Sequence, residues 1–205
     1  MPKTPRIDNN ALLEAGLELM KRNGKSLSKQ PSFGRKMLYS LPNGETVRVR
    51  TCNDHILIVV ADSPALDAKL NIEETDWLLI VMPEIERTPG KVIAYLVPTA
   101  VAVEAARSTH ETWLATKPNT NGGNTTRNLW FYEDTTGQAT TWTGFHRKWS
   151  KYRLKGEGEA TQAAGLGGSA DPGNVKAEVE AARQRISKVA GVPVNAVRIT
   201  IEFGL

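Results

Sequence analysis

The spacing of hydrophobic residues changes along the chain and separates helical from extended segments. Over residues 9–23, apolar side chains recur every three to four positions, which predicts an amphipathic helix that ends at Gly24. Residues 25–34 hold serine, lysine, proline and glycine without periodicity, so we expect a loop there. From residue 35 the pattern shortens to that of strands, and this change marks the start of a predicted sheet.

A series of short strands is predicted over residues 35–98. The first two form a hairpin, because Asn43 and Gly44 supply the positive φ angles of a tight primed turn. The later strands are continuous apolar runs between prolines and glycines, and residues 55–61 are expected to be buried on both faces. The predicted strands are residues 35–41, 45–51, 55–61, 76–82 and 91–97.

Helical spacing returns after the strands. Residues 99–114 predict a helix, and residues 117–126 are a loop rich in proline, asparagine, glycine and threonine. A short strand is expected at residues 129–132. Residues 144–154 predict an amphipathic helix with an aromatic face and a basic flank.

A glycine-rich stretch divides the chain. Residues 156–173 contain six glycines, which is typical of a flexible linker. Helical spacing resumes at Asn174, and apolar residues alternate over residues 197–203, which predicts a helix and a strand. We expect an α+β core domain at residues 1–155, with a mixed central sheet of four to six strands flanked by helices. The C-terminal helix and strand, within residues 174–205, would dock on that sheet or on a partner.

Composition narrows the class of protein. The 205 residues are 40% hydrophobic and 23% charged, as in ordinary globular domains. Because Cys52 is the single cysteine, no intrachain disulfide can form, and the reducing cytoplasm is the expected location of the protein. We expect Cys52 to be a small apolar residue near a strand end. No signal-peptide pattern or membrane-spanning run is present, so we expect no membrane association. The net charge of +4 favours an anionic partner such as nucleic acid.

Motifs of hydrolytic and phosphate-binding enzymes are missing from the sequence. His55, His110 and His146 do not have the spacing of metal ligands, so we expect surface or capping roles for them. No Gly-x-Ser-x-Gly occurs, and no Gly-Lys-Ser/Thr follows the glycines near residue 165. These observations predict binding rather than catalysis, and no resident cofactor.

Three segments carry a resemblance to a known family. They are Gly-Glu-Thr-Val-Arg-Val-Arg-Thr at residues 44–51, Thr-Asp-Trp-Leu-Leu-Ile-Val at 75–81 and Val-Ile-Ala-Tyr-Leu-Val-Pro at 92–98. With the preceding helix, residues 35–106 resemble the PD-(D/E)XK, or restriction-endonuclease-like, superfamily. In that family an aspartate and a Glu/Gln-x-Lys triplet on the hairpin hold a divalent metal and the attacking water.

The chain departs from the family at the triplet. Arg48-Val49-Arg50 stands where the carboxylate and lysine would be, and residues 37–41 contain no aspartate. Two guanidinium groups repel Mg²⁺ rather than bind it. The resemblance therefore implies a nuclease-like scaffold that has lost its catalytic centre.

Two basic patches are candidates for contact with phosphates. The first lies on the predicted hairpin, and the second follows residue 144, among aromatic residues that suit base stacking. Each patch also has an interpretation without a ligand. The first would be a charged sheet face exposed to solvent, and the aromatic rings of the second would anchor a helix to the core. The candidate nucleic-acid-binding residues are Arg35, Lys36, Arg48, Arg50, Arg147, Lys148, Trp149 and Lys151, with Trp130, Phe131, Tyr132 and Trp142 beside the second patch.

Three functions remain open at this point. The first is a DNA- or RNA-binding or regulatory protein on a degenerate nuclease scaffold. The second is an inhibitor or assembly factor whose strand at residues 197–203 adds to a partner's sheet or to a second copy of the chain. The third is an active nuclease that uses Mg²⁺ at a migrated site. Carboxylates for such a site would come from Glu14, Glu18, Asp62, Asp76, Glu84 and Glu86.

Overall fold

The computed structural model describes residues 6–31, 37–116, 124–133, 142–160, 183, 187 and 193–198. The chain divides into two compact units, Met1–Gln162 and Ala163–Leu205. In the second unit a 3-10 helix spans Val194–Ala196, and Arg183 Nε donates to the Val197 carbonyl at 2.9 Å. Val197 and Arg198 are not in a strand, and the rest of the strand predicted at residues 197–203 lies outside the described residues.

In the part of the first unit that the structure describes, three α-helices combine with eight short strands, six of which lie between the first helix and the second. Its helices are α1 (Asn9–Arg22), α2 (Thr99–Thr116) and α3 (Phe145–Lys148), and a 3-10 helix at Ser150–Tyr152 follows α3. Its strands are β1 (Ser28–Lys29), β2 (Leu38–Ser40), β3 (Thr46–Thr51), β4 (Ile56–Val60), β5 (Trp77–Pro83), β6 (Gly90–Pro98), β7 (Thr126–Trp130) and β8 (Gly158–Ala160). No helix in the described part of the chain is long and apolar enough to cross a bilayer.

Six of the strands form one mixed sheet in the order β1-β2-β3-β5-β6-β8. The β3–β5 pair is parallel and the other pairs are antiparallel. Strand β4 and strand β7 form a separate two-stranded antiparallel sheet. The predicted α+β class, with a mixed central sheet, is confirmed.

The β2–β3 hairpin forms as predicted, but its turn is of a different type. Gly44 has a φ of +89°, whereas Asn43 does not have a positive φ. The Leu41 N–H donates to the Glu45 carbonyl at 2.8 Å, and the Gly44 N–H donates to the Leu41 carbonyl at 2.9 Å. These contacts close a three-residue loop in which glycine alone takes the left-handed conformation, rather than a two-residue primed turn.

Two edge strands were not predicted. Strand β1 lies in the segment expected to be a loop, and strand β8 lies in the stretch expected to be a linker. Both are short and lack an alternating apolar pattern of useful length. They are strands because β2 and β6 offer them unpaired backbone groups, which is a tertiary effect.

Strand β4 leaves the main sheet, and this corrects the expectation that it is buried on both faces. Leu57 and Val59 are fully buried, whereas Ile58 is 41% exposed and Val60 is 39% exposed. The pattern is that of a two-stranded sheet with one face on the core and one face in water.

The main sheet is covered on both faces, and each face has its own apolar core. Helix α1 packs on one face, through Leu12, Leu19 and Met20. At Gly16 the helix approaches so closely that an added Cβ would collide with the side chain of Val81. The other face is covered by α2, α3 and the two-stranded sheet, and this second layer carries the candidate site.

Candidate nucleic-acid interface

The hairpin arginines share one face of β3, as predicted. Arg48 is buried and its Nη1 donates to the Asn71 carbonyl, while Arg50 Nη2 donates to the Ile58 carbonyl at 2.8 Å. Both guanidinium groups thus hold neighbouring backbone segments against the sheet. Burial is the main cause that lowers the pKa of Arg48, and the nearby Arg50 adds to it. Contact of these arginines with phosphate stays a prediction.

The first patch is only partly described. Arg35 and Lys36, its other two members, lie outside the described residues.

The second patch, which we name the basic segment, comprises residues 145–155. Its predicted helix is shorter than expected: α3 spans four residues and gives way at Trp149 to the 3-10 turn. The stretch from residue 147 to residue 155 contains five cations and no carboxylate. All five are exposed: Arg147, Lys148, Lys151, Arg153 and Lys155.

Aromatic rings and one carboxylate fix cations of the basic segment. Lys148 Nζ lies 4.8 Å from the centroid of the Phe145 ring, and Lys151 Nζ lies 4.9 Å from that of Tyr152. Arg147 Nε lies 2.8 Å from Glu133 Oε1, and this contact raises the pKa of Arg147 and lowers that of Glu133. The segment thus presents an ordered array of positive charge.

The aromatic residues of this patch divide into core and surface. Trp149 is 4% exposed, and its ring centroid lies 4.7 Å from that of Phe145 and 5.8 Å from that of Phe131. Trp149 therefore anchors the basic segment on the core, and its ring has no open face for a base. Trp130 and Tyr132, in contrast, are 41% and 43% exposed.

Two pockets lie along α2, and one of them adjoins the basic segment. One, which we name the basic groove, has a volume of about 330 Å³ and lies between α2 and the basic segment, with Lys148 and Lys151 in its wall. The other, which we name the tryptophan pocket, has a volume of about 220 Å³. Thr109 of α2 lines both. The tryptophan pocket is lined by Thr109, His110, Trp113, Asn124, Thr126, Arg127, Asn128, Trp130 and Trp142.

The histidines are not surface or capping residues, which corrects the sequence-based expectation. His55 is fully buried, His110 is 4% exposed and His146 is half-buried. His55 Nδ1 lies 3.0 Å from His146 Nε2, and His146 Nδ1 lies 2.7 Å from the Tyr95 hydroxyl. These two contacts join residues that lie 91 and 51 positions apart in the sequence, so the spacing of the histidines carried no signal.

One protonation pattern satisfies this histidine chain. The Pro83 carbonyl, 2.6 Å from His55 Nε2, can only accept, so His55 Nε2 carries a proton. In the neutral pair His55 Nδ1 then accepts from His146 Nε2–H, and the Tyr95 hydroxyl donates to His146 Nδ1. Burial, followed by the charges of His55 and Arg153, lowers the pKa of His146 to about 4. The chain is therefore a neutral structural network near pH 7.

The carboxylates proposed for a migrated metal site do not come together. Among residues that the structure describes, no group of three histidine, cysteine, aspartate or glutamate side chains is arranged to hold a metal ion. Asp76 instead accepts from the N–H and the hydroxyl of Thr46, both at 2.7 Å. These contacts lower the pKa of Asp76 and leave it a structural role at the start of β5.

Cys52 has the role that the sequence predicts. It is buried next to the end of β3, and burial raises the pKa of its thiol to about 12. A thiol with this pKa is protonated at neutral pH and is a poor nucleophile.

Sequence reasoning missed part of the tryptophan pocket, namely His110, Trp113, Arg127 and Asn128. A compositional signal was available, because four of the five tryptophans lie between residues 113 and 149, the region that also carries the cations. Comparisons with models of protein families, with curated proteins and with solved structures found no match to this chain.

Proposed function

We propose that this protein binds nucleic acid, and that the basic segment provides the contacts with the phosphates. The observation that carries the proposal is the set of five exposed cations within nine residues that contain no carboxylate. Anchoring of the segment by Trp149 and Phe145 gives these charges fixed positions. Several fixed cations next to one another suit a polyanion, because each phosphate they neutralise releases a counterion.

The basic groove supports a strand of nucleic acid as the ligand. Lys148 and Lys151 line the groove with the exposed Ser108 of α2, so two lysines and a serine border the same space. Such donors bind phosphate oxygens without reading the sequence. Glu104 lies at the same groove and is the one acidic residue of its lining.

As part of this proposal, the nuclease-like scaffold that the sequence resembles binds nucleic acid but does not cleave it. Arg48 and Arg50 occupy the positions that would carry the carboxylate and the lysine, and both are engaged with backbone carbonyls. We therefore expect no cleavage when the protein is incubated with labelled DNA or RNA and Mg²⁺ or Mn²⁺. Metal-dependent cleavage that survives Arg48→Ala and Arg50→Ala would favour an active enzyme with a different centre.

Binding is tested by fluorescence anisotropy with labelled single strands and duplexes of equal length over a range of salt concentrations. We expect the logarithm of the affinity to fall with the logarithm of the salt concentration, with a slope of about −2 to −4. Lys148→Ala/Lys151→Ala should lower the affinity about 10-fold or more at low salt and reduce the slope by about 2.

A matched control is Lys21→Ala/Lys25→Ala, which removes two exposed lysines at the end of α1 and changes the net charge equally. This variant should bind like the wild type. Equal losses in both double variants would show that net charge, not the basic segment, determines binding. Absence of binding to any DNA or RNA at low salt would contradict the proposal.

A further inference from the structure

The tryptophan pocket lies between the second half of α2 and the free edge of β7. Its aromatic wall is formed by Trp113, Trp130 and Trp142, with His110 beside them. The rings of His110 and Trp113 are nearly parallel, at 15°, with centroids 5.7 Å apart. Trp130 is 41% exposed, so part of this wall is open to solvent. Planar walls of this kind bind flat aromatic ligands by stacking.

The free edge of β7 supplies hydrogen-bonding groups to the same pocket. The Phe131 N–H donates to the His55 carbonyl, and the Ala61 N–H donates to the Thr125 carbonyl. In this register the odd-numbered residues of β7 are the ones whose backbone groups form hydrogen bonds with β4. Even-numbered residues must therefore turn their backbone groups away from β4.

Two of the three even-numbered positions at this edge are occupied. The Trp130 N–H donates to the Trp142 carbonyl at 2.8 Å, and the Thr126 N–H donates to Asn124 Oδ1 at 2.9 Å. Asn128 lies between them, and its outward N–H and C=O have no partner among the residues that the structure describes. The pocket thus offers a donor and an acceptor side by side.

Two buried polar side chains in the lining also indicate a polar ligand. His110 is 4% exposed, and its Nε2 is buried without a hydrogen-bond partner in the described part of the chain. Arg127 is 2% exposed, and its guanidinium donates to the carbonyls of Pro64, Ala65, Asn124 and Thr126. Within the described residues no carboxylate neutralises it, and a positive charge in the lining of an aromatic pocket favours an electron-rich or anionic ligand.

We propose that the tryptophan pocket binds a single unpaired nucleobase, held by stacking on the tryptophan rings and by the backbone N–H and C=O of Asn128. The Watson–Crick edge of an unpaired base presents adjacent donors and acceptors that match such a pair, whereas in a duplex that edge is occupied. Thr109 lines both this pocket and the basic groove, so a base here can belong to a strand whose phosphates lie on Lys148 and Lys151. This inference rests on the proposed function and adds a preference for unpaired nucleotides.

The experiment compares two labelled single strands of equal length, one with all its bases and one with a run of abasic sites, by fluorescence anisotropy. The base-bearing strand should bind more tightly than the abasic strand, and Trp130→Ala should remove about 5- to 100-fold of affinity from the base-bearing strand alone. Trp130→Phe, which keeps a ring, should retain most of it. Far-UV circular dichroism checks that each variant is folded.

A second variant tests the backbone contact without removing a ring. Asn128→Pro deletes the outward N–H but no bond to β4, because proline is tolerated where the N–H of an edge strand faces outward. We expect Asn128→Pro to change the relative affinities for oligomers of different bases and to leave abasic binding unchanged. Asn128→Ala, which keeps the backbone N–H, should behave like the wild type.

The outcomes separate this inference from the proposed function. Equal affinity for base-bearing and abasic strands, or tighter binding of a duplex than of a single strand, would overturn the pocket assignment and leave phosphate binding intact. If neither strand binds at low salt, the proposed function fails, and a titration with adenosine, cytidine and uridine monophosphates then tests whether the tryptophan pocket binds a nucleobase. Quenching of tryptophan fluorescence that persists in Trp77→Phe and is lost in Trp130→Ala would support nucleobase binding in this pocket. No quenching by any of the three nucleotides would overturn the pocket assignment.

Discussion

The two faces of the main sheet use the same three strands, β3, β5 and β6, yet they bury different chemistry. Toward α1, alternate residues of these strands are valine, leucine or alanine, and the buried Asn53 adds a polar side chain only at the edge of this layer, where it bonds to the backbone of Ile7. Toward the two-stranded sheet, Arg48, His55, Thr109, His110 and Arg127 are buried among the apolar residues. The candidate binding groups that the structure describes therefore lie on this second side.

The covering layers explain this difference. A helix such as α1 satisfies its own backbone groups apart from its ends, so it can cover a sheet with apolar side chains alone. The two-stranded sheet and its long connections leave carbonyls unpaired, and each needs a donor. Arg48 donates to the Asn71 carbonyl, Arg50 donates to the Ile58 carbonyl, and Arg127 donates to the carbonyls of Pro64 and Ala65. On this side, polar side chains thus supply hydrogen bonds that neighbouring backbone groups would supply in a helix or a larger sheet.

Leu12→Ala should have the largest effect on stability, because Leu12 is fully buried between α1 and the sheet. Loss of its side chain leaves a cavity and should lower the free energy of unfolding by about 2–5 kcal/mol, measured by urea denaturation. Glu14→Ala, at an exposed position of the same helix, is the control. Equal effects of the two substitutions would contradict a tightly packed α1 layer.

Arg127→Ala should have the next largest effect, and through a different mechanism. Arg127 is 2% exposed, and its loss removes the buried donor that ties the carbonyls of Pro64, Ala65 and Asn124 to β7, which should lower the free energy of unfolding by about 2–4 kcal/mol. Arg127→Lys should recover part of this loss, since an ammonium group can reach some of the same carbonyls. A negligible change in urea denaturation would show that water replaces the guanidinium at no cost.

Acidification should weaken the polar side of the sheet. The folded-state pKa of His146 is about 4, below the usual value of 6.5. Between these two values the histidine is protonated in the unfolded chain and neutral in the folded chain. Stability should therefore be complete above pH 6.5 and fall as the pH drops toward 4, by at most about 1.4 kcal/mol per pH unit for one proton.

The groups that face His146 are His55, Tyr95, Tyr132 and Arg153, and burial also lowers the pKa of His55. The measurement is urea denaturation of the wild type and of His146→Gln between pH 7 and pH 5. A slope that is the same in both proteins would rule out His146 as its source.

Two exposed ion pairs provide the smallest expected effect on stability. Arg147–Glu133 lies in the basic segment, and Arg22–Glu18 lies on α1. Neither Arg147→Ala nor Arg22→Ala should change the melting temperature measurably, because exposed pairs are screened by water. Only Arg147→Ala should weaken nucleic-acid binding and reduce its salt slope by about 1. Equal binding by both variants would remove Arg147 from the interface.

Much of the fold could be predicted because its signals are local. Helix α1 has an apolar stripe and a glycine stop, and strands β3, β5 and β6 are marked by valine, leucine and isoleucine between prolines and glycines. The type of the hairpin turn was wrong, since Pro-Asn-Gly is compatible with both a two-residue and a three-residue loop. Strand β4 was placed in the wrong environment for a similar reason, because a run of apolar residues does not show which face is covered.

The candidate interface was predictable in part. The basic segment stood out as cations among aromatic residues, and the structure places those cations at the surface. The role of each ring could not be predicted, because Trp149 is buried among charged sequence neighbours while Trp130 is exposed among apolar ones, the opposite of what local composition indicates. The histidine chain joins His55, which precedes β4, to residues of β6 and α3, and the tryptophan pocket joins residues of α2 and β7, so spacing in the sequence did not reveal them.

The sequence by itself determined the order of most elements, the apolar faces of α1 and the central strands, and the concentration of positive charge after Gly144. These features depend on short-range periodicity and composition, which a linear chain displays directly. Only the tertiary structure decided that β4 pairs with β7, that Arg48 and Arg127 donate to backbone carbonyls, and that three separate segments line the tryptophan pocket. Such contacts depend on which backbone N–H and C=O groups remain unpaired after the sheet has formed. The set of unpaired groups is a property of the whole fold and is not visible in a local stretch of sequence.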